Sequence, residues 1–186
     1  MRQFHRDFSF YLKELSSSKP SPGGGSAAAL SLSLGAGLVE MALRVSARSW
    51  TASRRQKAGF MLAELKKIRQ KALRLVDKDA VVFRKFSLAK IASQKQKLLK
   101  KALLVSLETG GLAVEAVKTA GKSLPWVKKT ILNDWTIGMG FMAVSLKASV
   151  LNAEGNLNYL KENSAEYIRL LNVLKKTLKG IKKYLS

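Results

Sequence analysis

An all-α fold is predicted by three observations. No stretch alternates apolar and polar residues with a period of two, prolines stand only at positions 20, 22 and 125, and apolar residues recur at helical spacing through most of the 186 residues. The expected architecture is a bundle of about five to six helices, two of them small-residue-rich and buried, forming a single domain over residues 1–186.

Each element has its own signal. Residues 4–15 read as a short amphipathic helix with Phe4, Phe8, Tyr11, Leu12 and Leu15 on one side, and 16–25 as a breaker cluster. Residues 26–47, SAAALSLSLGAGLVEMALRVSA, are small or apolar on every face, the mark of a helix buried all round. Residues 52–90 form a long charged helix with an apolar line at Phe60, Leu62, Leu65, Ile68, Leu73, Leu75, Val76 and Phe83. A further helix covers 93–122, bent at Gly110-Gly111, and Pro125 ends it. Residues 126–161 give the second small-residue helix, and 165–185 the last, with Ile168, Leu171, Leu174, Leu178, Ile181 and Leu185 on its apolar face.

Composition narrows the chemistry. There is no cysteine, which excludes disulfides, thiolate metal sites and a cysteine nucleophile and fits a reducing compartment. His5 is the sole histidine, so a histidine-based metal site or triad is excluded and no metal is expected. The first residues carry charge throughout and lack the apolar core of a secretory signal, so a cytoplasmic location is expected. The charge-free run 26–39 is 14 residues long, and 135–146 is bounded by Asp134 and Lys147, both short of the ~20 residues of a membrane span. Lys plus Arg is 34 against 12 Asp plus Glu, a net charge of +22. That balance reads either as a solvated basic surface or as the footprint of an anionic partner, nucleic acid, a membrane surface or a small polyanion.

Pro22-Gly23-Gly24-Gly25-Ser26 precedes the first small-residue helix. One reading is a turn with Ser26 as N-cap. The other is a binding loop: glycines permit positive φ and close approach of a ligand, and the N–H groups of Ala27 and Ala28 would face an anion at the helix N-terminus. Three consecutive glycines cost more chain entropy than a turn requires, which favours the second. Gly138-Met-Gly140-Phe-Met-Ala143 fits a dinucleotide fingerprint but lies inside a helix with no strand before it, so these glycines are expected to make room for a crossing helix. Asp77 and Asp79 are two apart, so only one faces inward. Phe83, four beyond Asp79, assigns the interior to Asp79. Asp134 is either an N-cap or a site acid, and Asn152 and Asn156, four apart, share one face and are either site residues or structural hydrogen-bond partners.

Taken in order, KPSPGGGSAAALSLSLGAGLVEM (19–41), DKDAVVF (77–83) and NDWTIGMGFMAVSLKASVLNAEGNLNYL (133–160) resemble the cyclodeaminase/cyclohydrolase family. This family comprises the C-terminal domain of formiminotransferase-cyclodeaminase and stand-alone methenyltetrahydrofolate cyclohydrolases. The resemblance implies an all-α homodimer acting without metal on a tetrahydrofolate derivative. The implied reaction closes 5-formiminotetrahydrofolate to 5,10-methenyltetrahydrofolate with loss of ammonia, or opens the methenyl ring with water. It makes Asp79 and Asp134 the candidate catalytic acids, and Pro22, Gly23, Gly24, Gly25, Ser26, Asn152 and Asn156 the candidate binding residues. Arg44 and Arg48 are candidates for the glutamate tail. The competing expectation is a non-catalytic basic protein of the same fold that binds nucleic acid or an anionic membrane, with steep salt dependence.

Overall fold

The structure, a computed structural model, describes residues 8–162 and 164–181, apart from the side chain of Lys57. Phe4, His5, Leu185 and the lysines at 182 and 183 lie outside the described residues. Among the described residues there are six α-helices and no strand: α1 Phe8–Leu15, α2 Gly24–Ala47, α3 Ala52–Leu88, α4 Ala92–Ser123, α5 Leu132–Tyr159 and α6 Ala165–Gly180.

The two small-residue helices, α2 and α5, pack heavily against each other, with α3 against α2 and α4 against α5. Both are long and apolar enough to cross a membrane by length and composition alone, a broader match than their charge-free runs gave. In the bundle, 61% of the α2 window and 50% of the α5 window are buried against the other helices. Gly35 and Gly138 explain the close approach: a Cβ on Gly35 would lie 2.6 Å from the Gly138 carbonyl oxygen, and one on Gly138 would lie 2.9 Å from Val39 Cγ2. Gly140 has nothing within 4 Å, so only the first glycine of the expected pair serves the crossing. The core around it is built from Leu32, Ala36, Val39, Leu43, Met139, Met142 and Leu146, all fully buried.

On α3, Leu65, Ile68, Leu75 and Val76 are buried as expected. Phe60 is 80% exposed although Ala58, two residues before it, is fully buried, so it lies off the buried face, and Phe83, expected to point inward, is 40% exposed. Thr51 caps that helix, its hydroxyl accepting from the Arg54 N–H at 3.3 Å. Gly110-Gly111 does not interrupt α4. Gly110 instead admits the side chain of Leu174 and, at 3.2 Å from a Cβ placed there, that of Ser149. The segment expected as one helix over 126–161 begins differently. Pro125 lies within a 3₁₀ turn over Leu124–Trp126, Val127 and Lys128 are extended, a second 3₁₀ turn follows, and the α-helix opens only at Leu132. Ile168 on α6 is 48% exposed, while Leu171, Leu174 and Ile181 are buried.

The helices alternate in direction, so the bundle has two distinct ends. The start of α2, the end of α3, the first half of α4 and the end of α5 meet at one. The other holds the three tryptophans. There Trp50 and Trp126 pack edge to face at 5.6 Å, and the Arg54 guanidinium lies 5.2 Å from both ring centroids. Trp135 donates its indole N–H to Ser123 Oγ at 3.1 Å.

Candidate functional site

At the first end, Gly23, Gly24, Gly25, Asp79, Phe83, Ala102, Ser106, Asn152 and Asn156 line a cavity of about 190 Å³. The loop is pinned from both sides. Ser21, joined to Pro22 by a cis peptide, donates its hydroxyl to the Ala80 carbonyl at 2.7 Å, and Ser26 Oγ donates to the Tyr11 hydroxyl at 3.3 Å. Gly23 is the N-cap of α2 in extended conformation, so the helix starts two residues earlier than Ser26 suggested. Ser26 does not cap it: the side chain is fully buried and spent on Tyr11. Ala27 N–H is likewise taken, by the Gly23 carbonyl at 3.0 Å.

The group that meets the helix N-terminus is the Asp79 carboxylate, which accepts from the backbone N–H of Ser26. No described glycine has positive φ, so conformational freedom is not what the loop uses. The requirement is space. A Cβ on Gly25 would sit 2.6 Å from Asp79 Cγ and 2.7 Å from Oδ2, inside van der Waals contact. Only glycine lets the carboxylate of α3 lie against the first turn of α2. Burial pushes the Asp79 carboxyl up to about 6, against the lowering effect of the Ser26 N–H. Burial also raises the Tyr11 hydroxyl, while the bond from Ser26 opposes that rise and the nearby Asp79 charge adds to it. The cavity therefore couples a carboxyl that exchanges its proton near neutrality with carboxamides at Asn152 and Asn156 on α5.

The remaining sequence candidates lie elsewhere. Pro22 is buried beside the loop and does not line the cavity. Asp134 is in the first turn of α5, past the cap position, where its charge suits the helix dipole. Eighteen residues separate it from Asn152, about 27 Å along the axis, so within one chain it does not face Asp79. Arg44 and Arg48 lie towards the other end of α2 and, with Arg69, line a separate cleft of about 530 Å³. There Arg69 Nε donates to the nearly buried Glu40 at 2.7 Å, with Arg44 at 3.8 Å. Sequence reasoning missed Phe83, Ala102 and Ser106 as lining residues, and Tyr11, which holds Ser26 beside the cavity. The four-residue spacing of Ala102 and Ser106 put them on one face, but their small size read as ordinary core. Among the described residues no group of three His, Asp or Glu side chains is arranged to hold a metal ion.

Residues 8–170 match the family described as formiminotransferase-cyclodeaminase, a span that takes in every residue of the cavity. The chain belongs to that family. No curated protein matches this formiminotransferase-cyclodeaminase family member in sequence. Its fold is similar to that of the formiminotetrahydrofolate cyclodeaminase from Thermotoga maritima, with a TM-score of 0.87 at 17% identity over 96% of this chain and 93% of that one.

Proposed function

We propose that the protein is a folate one-carbon enzyme that works in the cytoplasm without a metal. It converts 5-formiminotetrahydrofolate to 5,10-methenyltetrahydrofolate and ammonia, or hydrolyses 5,10-methenyltetrahydrofolate to 10-formyltetrahydrofolate. The observation that carries this reading is the Asp79 carboxyl, held against the glycine loop inside a cavity and raised to about 6. At pH 7 it is mostly ionised yet takes up a proton readily, the condition for an acid–base group that must accept and then return one. In the deaminating direction N10 attacks the formimino carbon and the N10–C bond forms. Asp79 takes the proton from N10 and passes it to the amine, and the N5 lone pair expels ammonia to leave the methenyl cation. In hydrolysis the same carboxylate takes a proton from the water that adds to the methenyl carbon and gives it to N5 as the N5–C bond breaks, while the new hydroxyl loses its proton to solvent and leaves the formyl group on N10. Its negative charge stabilises the cation in both directions. Asn152 and Asn156 supply donors and acceptors for the pterin edge. The cavity is smaller than the ~300–1,000 Å³ of ordinary ligand sites, so it takes the reacting end of a folate while the rest lies outside.

The test is to add the purified protein separately to 5,10-methenyltetrahydrofolate and to 5-formiminotetrahydrofolate and follow near-ultraviolet absorbance. One of the two is expected to turn over above the buffer rate. Rates equal to buffer with both substrates would sink the enzymatic reading.

A homodimer belongs to the same reading. Its support is a stripe along one face of α5, where Ile137 is 53%, Val144 60% and Leu151 57% exposed, with Leu34 of α2 beside it at 45%. Next to it Ile137, Phe141, Val144, Leu178 and Ile181 border an apolar groove of about 720 Å³. Substituting Val144→Glu is expected to halve the mass seen by sedimentation, from twice the 20.4 kDa chain to one copy, without altering helix content. A parent protein that already sediments as one chain would contradict the dimer.

A further inference from the structure

The turn joining α3 to α4 carries a surface that the proposed chemistry does not use. Between Asp79 and Glu108 the chain has seven Lys and Arg residues and no Asp or Glu. Of these, Lys100 meets the Glu162 carboxylate at 2.8 Å. Lys85, Lys90, Lys95, Lys97 and Lys101 are all exposed. At the tip, Leu88 is 74% and Ile91 65% exposed, the first closing α3 and the second standing just before α4. Lys85, Leu88, Lys97 and Lys101 border a groove of about 510 Å³ between the two helices.

We propose that this tip seats the protein on an anionic lipid surface, with Leu88 and Ile91 entering the interfacial layer and the surrounding lysines meeting the headgroups. The combination is what a bilayer surface recognises: a small apolar point that gains by leaving water, ringed by cations drawn to negative charge. Neither feature alone would select a membrane. A nucleic acid would use the cations, but the two side chains that project are aliphatic and offer no π-face for a base and no donor for a base edge. A second copy of the chain is disfavoured at this surface, because two such tips would bring like charges together. The docked tip would lie close to the Asp79 cavity, since Phe83 on its wall is five residues, about 8 Å along α3, from Leu88.

The full chain is to be co-sedimented, at about 0.15 M salt, with vesicles of phosphatidylcholine alone and with vesicles containing about 30% phosphatidylglycerol. Binding is expected to the anionic vesicles only. The double variant Leu88→Ser/Ile91→Ser, which keeps every charge, is expected to bind them at least ~10-fold more weakly with an unchanged thermal midpoint. A second variant, Lys90→Glu/Lys95→Glu, attacks the same surface through charge and is expected to lose binding as well. Absence of binding to anionic vesicles overturns the proposal, as does equal binding to both vesicle types. So does a Leu88→Ser/Ile91→Ser variant that binds like the parent. Preference for a nucleic-acid duplex over the vesicles, undiminished in that variant, overturns it in favour of a nucleic-acid partner.

Discussion

Asp79→Asn is expected to lower turnover of the folate substrate by ~10²-fold or more and, at neutral pH, to leave a more stable protein. The two effects share one cause. The carboxyl titrates at about 6 in the folded chain against an ordinary value of 3.8, because burial disfavours its charged form. Between those values the folded state holds a proton that the unfolded state has released. The stability this group contributes is therefore full below about pH 4, falls as pH rises through 6, and stays lost above. Asparagine keeps an acceptor for the Ser26 N–H and has no charge to bury. The variant should match the parent near pH 4 and exceed it by about 1–3 kcal/mol at pH 7.5, the order expected of a two-unit shift. Urea unfolding at the two pH values measures this, and a stability difference that does not grow with pH would refute the assignment. In the parent, activity should fall below about pH 6 with a single ionisation, well above the range of a solvated aspartate.

Gly35→Ala is expected to give the largest loss of stability from a single added methyl group. The new Cβ would meet the backbone carbonyl of Gly138 at 2.6 Å, with Met142 Cγ at 3.0 Å and its backbone N at 3.1 Å. A flexible side chain could turn away, but a carbonyl on a packed helix cannot, so α2 and α5 must separate along the central seam. Overpacking of this kind costs about 1–3 kcal/mol, from which the better helix propensity of alanine returns about 0.5–1 kcal/mol. For a chain of this size the melting temperature should drop by roughly 2–8 °C. The same change at Gly111, where nothing lies within 4 Å, should raise it slightly. If calorimetry finds both variants equally stable, the glycine seam is not what holds these helices together.

The helices were legible because each buries a face of distinct spacing, and α2 and α5 because their residues are small all round. Their ends were less so. The start of α5 depends on what Pro125 and the extended Val127 and Lys128 pack against, which no local pattern encodes. Asp79 could be picked out from its spacing to Phe83, and Asn152 and Asn156 from their shared face, and the cavity brings these together. Asp134, Arg44 and Arg48 sit on the same helices as site residues yet do not reach the cavity. Residue spacing already separates them: along one helix, eighteen residues put Asp134 about 27 Å from Asn152 and nineteen put Arg44 about 29 Å from Gly25. Tyr11 was hidden for another reason: on an amphipathic helix an aromatic ring reads as core, and its hydroxyl shows its use only once Ser26 is beside it. The need for glycine at position 25 was visible, but its physical basis was not, since the side chain it accommodates comes from a different helix.

The tryptophans at the far end have a practical consequence for optical work on this protein. Trp50, Trp126 and Trp135 together account for all three indoles in the chain, and all lie away from the glycine loop. The intrinsic emission is therefore a gauge mounted at one end of the bundle. Whatever changes at Asp79 reaches it only if α2 and α5 melt as a unit. Agreement between an emission trace and a far-ultraviolet dichroism trace would show that the whole bundle gives way at once. A lag between them would mark the glycine-loop end as a separately opening segment, and an indole introduced at Phe83 would let that end report for itself.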